Sequence, residues 1–311
     1  MVFRANAAAN GPLNAGLQLV ALWVSYSQIN RILSVQLFKT ILKSIACIII
    51  AATLGVTALL FVGQHSMIYH PRQYGAGDVR ESTLAYTTSE GRQIAYYIPP
   101  DTGGEQAPER LWVMFSGNAS LALDWLDFVK RYPGHHDGFL LVDYPGYGSC
   151  DGSATPQNIE ESAEAAFDQL AQRLHTTRAA LDGKLGAVGH SLGCAAALNF
   201  AVKHPVDRLV LIAPFTSLRD MAQRTVGWPL CWLLRHNFDN RARLAELAAR
   251  GHPPRATIFH GAADEVIPTQ MGSELAAEFP RMIAFREVPA ATHNMVVILA
   301  RDQIFSAMQK P

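Results

Sequence analysis

Polar and apolar positions divide the chain near residue 63. Residues 45–63 (IACIIIAATLGVTALLFVG) run for 19 positions without a charge and are apolar on every side. As a helix rising about 1.5 Å per residue they reach about 28 Å, close to the roughly 30 Å of a bilayer's hydrocarbon core. A cleaved signal peptide has a shorter apolar stretch and a small-x-small site just past it. Here 44 residues precede the stretch and it ends LLFVGQH. The pattern predicts an uncleaved membrane anchor over 45–63, preceded by a tail of residues 1–44. A second uncharged stretch, 13–30, is interrupted by Asn14, Gln18, Ser25, Ser27, Gln28 and Asn30, and reads as an interfacial helix rather than a second span.

From residue 64 the pattern changes to short apolar runs, most of them followed by a helical stretch. A hairpin is expected from Leu84–Thr88 and Gln93–Ile98, and a Pro/Gly-rich loop from Pro99 to Pro108. Apolar runs then occur at 111–117, 138–144, 184–190, 208–213, 256–261 and 283–288. Helical spacing is expected at 121–131, 156–174, 192–203, 270–279 and 294–308, with a longer helical insertion over 217–250 after the sixth strand. Runs of five to seven apolar residues alternating with helices predict a mostly parallel α/β sheet flanked by helices. No linker or repeat divides residues 64–311, which read as one catalytic-size domain.

Composition narrows the class. Hydrophobic residues are 49% and charged residues 17% of the 311, enough apolar material for a core. Bases and acids balance at 26 each, so nothing draws the chain to nucleic acid. Residues 1–63 hold four bases (Arg4, Arg31, Lys39, Lys43) and no acid. After the anchor come His65, His70 and Arg72, then Arg80 among Asp78 and Glu81. The basic side faces the cytoplasm, so the tail is expected there and the body on the exocytoplasmic side. Four cysteines without a C-x-x-C form no zinc motif. The pair His135-His136 reads as exposed loop histidines for want of further ligands. Cys150 and Cys231 are able to pair only if an oxidising compartment and loop geometry allow it.

The pentapeptide Gly189-His190-Ser191-Leu192-Gly193 joins an apolar strand to an Ala-rich helix, where a nucleophile elbow sits. Glycines flank the serine because a side chain would collide with the neighbouring helix or strand. A serine hydroxyl needs a base to take its proton. In this chain order the acid and then the histidine follow, each at the end of a later strand. Asp264 closes the run 256–261 and His293 follows 283–288, which completes a candidate triad. The oxyanion hole is expected from the backbone N–H of Leu192 and one from the loop after 111–117, with Asn118 preferred and Ala119 the alternative. Asp220 is the reserve acid. His190 and His260 read as structural, Cys194 as a small core residue, and Asp124 and Asp127 as a solvated helix face.

These residues, with MIYHPR (67–72), FSGNA (115–119), DYPGYG (143–148), FDN (238–240), HGAADEVIP (260–268) and THN (292–294), resemble the single-pass, membrane-anchored alpha/beta-hydrolase-domain family of serine hydrolases. The resemblance spans about 41–308. It implies an alpha/beta-hydrolase fold, with nucleophile, acid and base at Ser191, Asp264 and His293, and no cofactor or metal. Two positions depart from the family pattern. Ser116 stands where histidine is usual before the loop glycine, and Pro145 where Arg or Ser is usual in the DYxGYG turn. Both bear on the support of the oxyanion loop.

The insertion carries TVGWPLCWLLR (225–235). Trp228, Leu230, Trp232 and Leu233 are expected either to line an acyl-chain groove or to pack a helix onto the body. Beside a membrane anchor, such a lid favours a lipid-like ester or thioester as substrate. A serine peptidase or protein deacylase of the same fold, and a binding protein without turnover, are the alternatives.

Overall fold

The computed structural model describes residues 12–75, 83–101 and 107–309. Residues 1–11 of the expected tail, the charged positions Asp78, Arg80 and Glu81, and residues 102–106 of the expected loop lie outside the described residues. The chain divides into two units, one up to Val62 and one from Gly63 onward.

Helix α1 runs unbroken over Pro12–Ile68, through both apolar stretches and past residue 44. The physical reason is that no proline falls between residues 13 and 70. Pro71 then biases His70 away from helical geometry, and the helix stops at Ile68. From Gly16 to Val62 its side chains are exposed almost throughout, and it is long and apolar enough to cross a membrane.

The body is an eight-stranded sheet in the order β1-β2-β4-β3-β5-β6-β7-β8. The strands are β1 (Thr83–Thr88), β2 (Gly91–Ile98), β3 (Arg110–Phe115), β4 (Asp137–Val142), β5 (Leu185–His190), β6 (Arg208–Ile212), β7 (Arg255–Gly261) and β8 (Ile283–Val288). β1–β2 and β2–β4 are antiparallel; every other pairing is parallel. Between them lie helices α2 (Leu126–Lys130), α3 (Pro156–Arg173), α4 (Arg178–Asp182), α5 (Leu192–Lys203), α6 (Leu218–Val226), α7 (Asn240–Ala248) and α8 (Thr269–Glu278). α9 (Val296–Leu299) and α10 (Arg301–Gln309) close the chain, and the expected terminal helix is broken between them.

Central strands β5 and β6 are buried at every residue, which is why they read as continuous apolar runs. Side chains alternate across β3. Leu111, Val113 and Phe115 join the layer under α3 and α5, whereas Trp112 and Met114 join the layer with Phe128 and Phe305. α3 starts with Thr155, whose side chain accepts the Asn158 N–H, and with proline in its first turn. It buries Ile159, Ala163, Ala166, Phe167 and Leu170 on one face. Phe167 meets Phe200 of α5 edge-on at 5.6 Å. The hidden helix α4 is short and follows a Thr177 cap, too brief for its periodicity to show in the sequence.

Phe167→Ala removes that edge contact and leaves a cavity in the α3–α5 layer. It is expected to cost about 3–5 kcal/mol, read as a lowered urea midpoint with unchanged slope.

Candidate active site

The junction of β5 and α5 is crowded on every side. A Cβ at Gly189 would stand 2.3 Å from the Gly193 carbonyl oxygen, and one at Gly193 would stand 2.2 Å from that of Phe115. Only glycine fits at either place. Between them Ser191 adopts φ 54° and ψ −118°, an unusual conformation for a side-chain-bearing residue. Its N–H donates to the Ile212 carbonyl at 2.8 Å and its carbonyl accepts from Cys194 N–H at 3.0 Å, so both neighbouring elements impose the turn. The Cys194 thiol is buried under the turn and bonds to the Gly189 and Ile212 carbonyls. Burial pushes its pKa up, consistent with an inert core thiol.

Loops after β7 and β8 abut one another. Ala262 and Ala263 donate to the carbonyls of Val288 and Ala291. Asp264, its side chain fully buried, approaches His293 with Oδ2 2.8 Å from Nδ1. Its Oδ1 accepts from the N–H groups of Val266 at 2.9 Å and Ile267 at 2.8 Å. Nε2 of His260 lies 3.3 Å from Oδ2 and 2.9 Å from the Ile267 carbonyl. Burial raises the Asp264 pKa, but the hydrogen bonds from His260, His293 and Ile267 outweigh it and hold the carboxyl well below its usual range. An ionised carboxylate only accepts, so Nδ1 of His293 carries the proton and Nε2 the lone pair.

The backbone of His293 is held at both ends. Its N–H donates to Glu265 Oε2 at 3.1 Å and its carbonyl accepts from His190 Nε2 at 3.2 Å. The rings of His190 and His293 lie 5.0 Å apart, which brings His293 beside the residue preceding Ser191. Burial, then the nearby His293, lowers the His190 pKa to about 4. His190 is therefore neutral at neutral pH. Among the described residues, neither the Ser191 hydroxyl nor Nε2 of His293 forms a hydrogen bond.

Gly117 lies against this pair; a Cβ there would stand 2.9 Å from His190 Nδ1 and 3.4 Å from Ser191 Cβ. In the next residue the backbone N–H of Asn118 has no protein acceptor among the described residues, and neither has that of Leu192 at the start of α5. The alternative, Ala119 N–H, is already given to Asn118 Oδ1 at 3.1 Å. The Asn118 side chain is a pin. Oδ1 also accepts from the His70 N–H at 2.9 Å and the Tyr147 hydroxyl at 2.7 Å, and Nδ2 donates to the Ile68 carbonyl at 2.6 Å.

With this geometry stands a family match: the model described as "Alpha/beta hydrolase family" covers residues 112–308. The chain belongs to that family. It is 27% identical over 275 residues to the protein Rv2307c of Mycobacterium tuberculosis, 86% of this chain and 93% of that one. It is 28% identical over 172 residues to the alpha/beta hydrolase domain-containing protein WAV2 of Arabidopsis thaliana, 50% and 53% of the two chains. Among solved structures, a Pyrococcus furiosus esterase overlays with a TM-score of 0.56 at 12% identity, covering 78% of this chain and 95% of its own. Thermogutta terrifontis esterase 2, phosphonylated by cyclosarin, gives 0.53 at 15%, covering 72% and 88%. At such identities the likeness is one of fold.

The strands of this hydrolase also reveal supports that sequence reasoning left without a role. Tyr144 donates to the Ser116 carbonyl at 2.6 Å, and Ser116, in place of the family's usual histidine, bonds the Leu121 carbonyl at 2.9 Å. Buried Asp143 accepts from Ala122 N–H and the Tyr74 hydroxyl; burial, partly offset by these bonds, raises its pKa to about 6. The DYPGYG motif marked these residues without showing what they hold. Glu265 and His190 carried no signal beyond adjacency to candidate residues.

Several candidates resolve differently. Asp124 is exposed, as expected, and also accepts from Leu121 N–H and pairs with the exposed Arg72 at 2.9 Å. The reserve acid Asp220 bonds Thr216 and Arg241 instead. Cys150 and Cys231 are both buried and free, Cys150 bonding the Ile94 backbone. His135 and His136 are exposed and pair with Asp101 and Glu109. No group of three metal-ligating side chains occurs among the described residues. In the stretch 228–233 of the insertion Trp228 and Trp232 are exposed, Leu230 and Leu233 half-buried, and Cys231 buried.

Asn118→Ala would remove the donor to the Ile68 carbonyl and the acceptor of the Tyr147 hydroxyl. A loss of about 1–3 kcal/mol is expected, measured by urea unfolding of the detergent-solubilised protein. Wild-type stability would show that the pin carries no load.

Proposed function

We propose that this hydrolase cleaves carboxylic esters or thioesters of lipid-like substrates through an acyl-serine, with Ser191 as nucleophile, His293 as base and Asp264 as its orienting acid. The observation that carries this reading is the 2.8 Å contact between His293 Nδ1 and the buried carboxylate of Asp264, on a histidine braced beside the elbow. The Ser191 oxygen attacks the substrate's acyl carbon while its proton passes to Nε2 of His293. The tetrahedral oxyanion is met by the N–H groups of Leu192 and Asn118. As it collapses, the bond to the leaving oxygen or sulfur breaks and Nε2 returns the proton there. Water, deprotonated by the same nitrogen, then attacks the acyl-serine; the acyl bond to Ser191 Oγ breaks, Oγ takes the proton back from Nε2, and the acid leaves.

Asp264 stays ionised, holds the Nδ1–H tautomer and stabilises the transient imidazolium. Neutral His190 keeps a second positive charge away from it. No cofactor enters this scheme. The apolar stretch 45–63 is read as a single span that tethers the body to a bilayer, with the body on the exocytoplasmic side by the distribution of Arg31, Lys39 and Lys43. The half-buried Leu230 and Leu233 and the exposed Trp228 and Trp232 are the candidates for acyl-chain contact.

Ser191→Ala is expected to lower kcat on aryl esters by about 10⁴-fold or more and to abolish labelling by a fluorophosphonate probe. Turnover at the wild-type rate would end this assignment.

The pH profile follows from the two perturbed neighbours. Above about pH 5 Asp264 is ionised and His190, with a pKa of about 4, is neutral, so the acid limb of kcat/KM should titrate one proton only. A slope of two in that limb would contradict the roles given to them.

A further inference from the structure

Beyond Gly63 the described residues expose seven large apolar side chains. Val266 is two residues past Asp264, and Met295 two past His293. Ile298, 71% exposed, and Leu299 follow in α9. Trp228 and Trp232, 76% and 63% exposed, belong to the insertion after β6. Met67 precedes Ile68, whose carbonyl Asn118 holds. Each lies in a segment following the C-terminal end of β6, β7 or β8, or beside the loop after β3. Ser191 itself follows the C-terminal end of β5, which is parallel to β6, β7 and β8. Single exposed apolar residues need no explanation, but a rim of them around one site marks a docking surface.

The occupant is indicated by the chain itself. The uncharged stretch ends at Gly63, and Gln64 is fixed to the insertion, accepting the Arg235 N–H at 2.6 Å and donating to the Leu233 carbonyl at 3.4 Å. Lipid that reaches Gly63 would end one residue before this anchorage on Leu233 and Arg235, in the segment that carries Trp228 and Trp232. The Arg219 guanidinium stands 4.5 Å over the Trp232 ring, and Arg224 and Arg235 are exposed nearby in the same segment. Tryptophan with arginine suits the headgroup region, where the ring meets the acyl boundary and the cation meets anionic lipid.

We infer that this rim is a membrane-docking surface, so that the Ser191 site opens onto the bilayer and receives its acyl substrate from lipid rather than from water. The inference rests on reading 45–63 as a span and Ser191 as the nucleophile. It adds which face meets the membrane and through which residues.

The test uses the full chain in vesicles of phosphatidylcholine with about one-fifth phosphatidylglycerol. Ile298→Ser with Leu299→Ser should lower hydrolysis of vesicle-borne 4-methylumbelliferyl oleate about tenfold, while p-nitrophenyl acetate, supplied from water, changes less than twofold. Separately, lipids brominated near the headgroup should quench wild-type tryptophan fluorescence more than that of the Trp228→Phe, Trp232→Phe variant. Equal quenching in both proteins, or equal loss on both esters, overturns the inference. So does concentration-dependent pairing of two copies that protects the rim without lipid contact. Absence of any turnover and of fluorophosphonate labelling in the wild type would instead sink the catalytic reading, leaving the quenching comparison to decide the surface alone.

Discussion

Strand β5 and helix α5 approach so closely that no side chain fits between them, and the geometry of the site follows from that steric constraint. The chain must reverse direction within a few residues, and it does so by forcing Ser191 into a positive φ that its neighbours, not its own preference, maintain. Because the sheet is parallel from β4 to β8, the loops after β3, β7 and β8 open at the same end as this turn. Ser191, Asp264 and His293, separated by 73 and 29 positions, thereby all follow strands that end at that same side.

The electrostatics of the site answer a second problem, a carboxylate with no solvent contact. Asp264 is supported by two backbone N–H groups and two imidazoles, so its charge persists despite burial. The same arrangement fixes which nitrogen of His293 bears hydrogen. Bonds from Glu265 and His190 to the His293 peptide leave the ring little freedom to turn away, and the low basicity of His190 removes a competing positive charge.

Much of this was legible in the sequence where burial repeats a simple pattern. β5 and β6, buried at every position, appear as apolar runs, and GHSLG announces a turn that only glycine tolerates. Asp264 and His293, whose side chains meet at 2.8 Å, were singled out because each follows a run of this kind. What stayed hidden depends on side chains meeting across long separations. Asn118 was chosen for its backbone, yet its side chain binds Ile68, His70 and Tyr147, some fifty residues before and thirty after. Asp124 is the surface charge it looked like, but its partner Arg72, equally distant, was not visible. The continuity of α1 through residue 44 follows from the absence of proline between residues 13 and 70, which polarity alone does not show.

The pin at Asn118 changes what counts as the globular part of this hydrolase. Residues 64–72 look like a spacer between an apolar helix and the first strand, but Gln64, Ile68, His70 and Arg72 are each bonded into the body, three of them to the loop beside Ser191. A shortened protein trimmed back to β1 for the sake of solubility would lose these struts and be a different object from the natural one, with its loop unbuttressed. Any water-soluble version intended to preserve the site has to retain the chain from Gln64 onward.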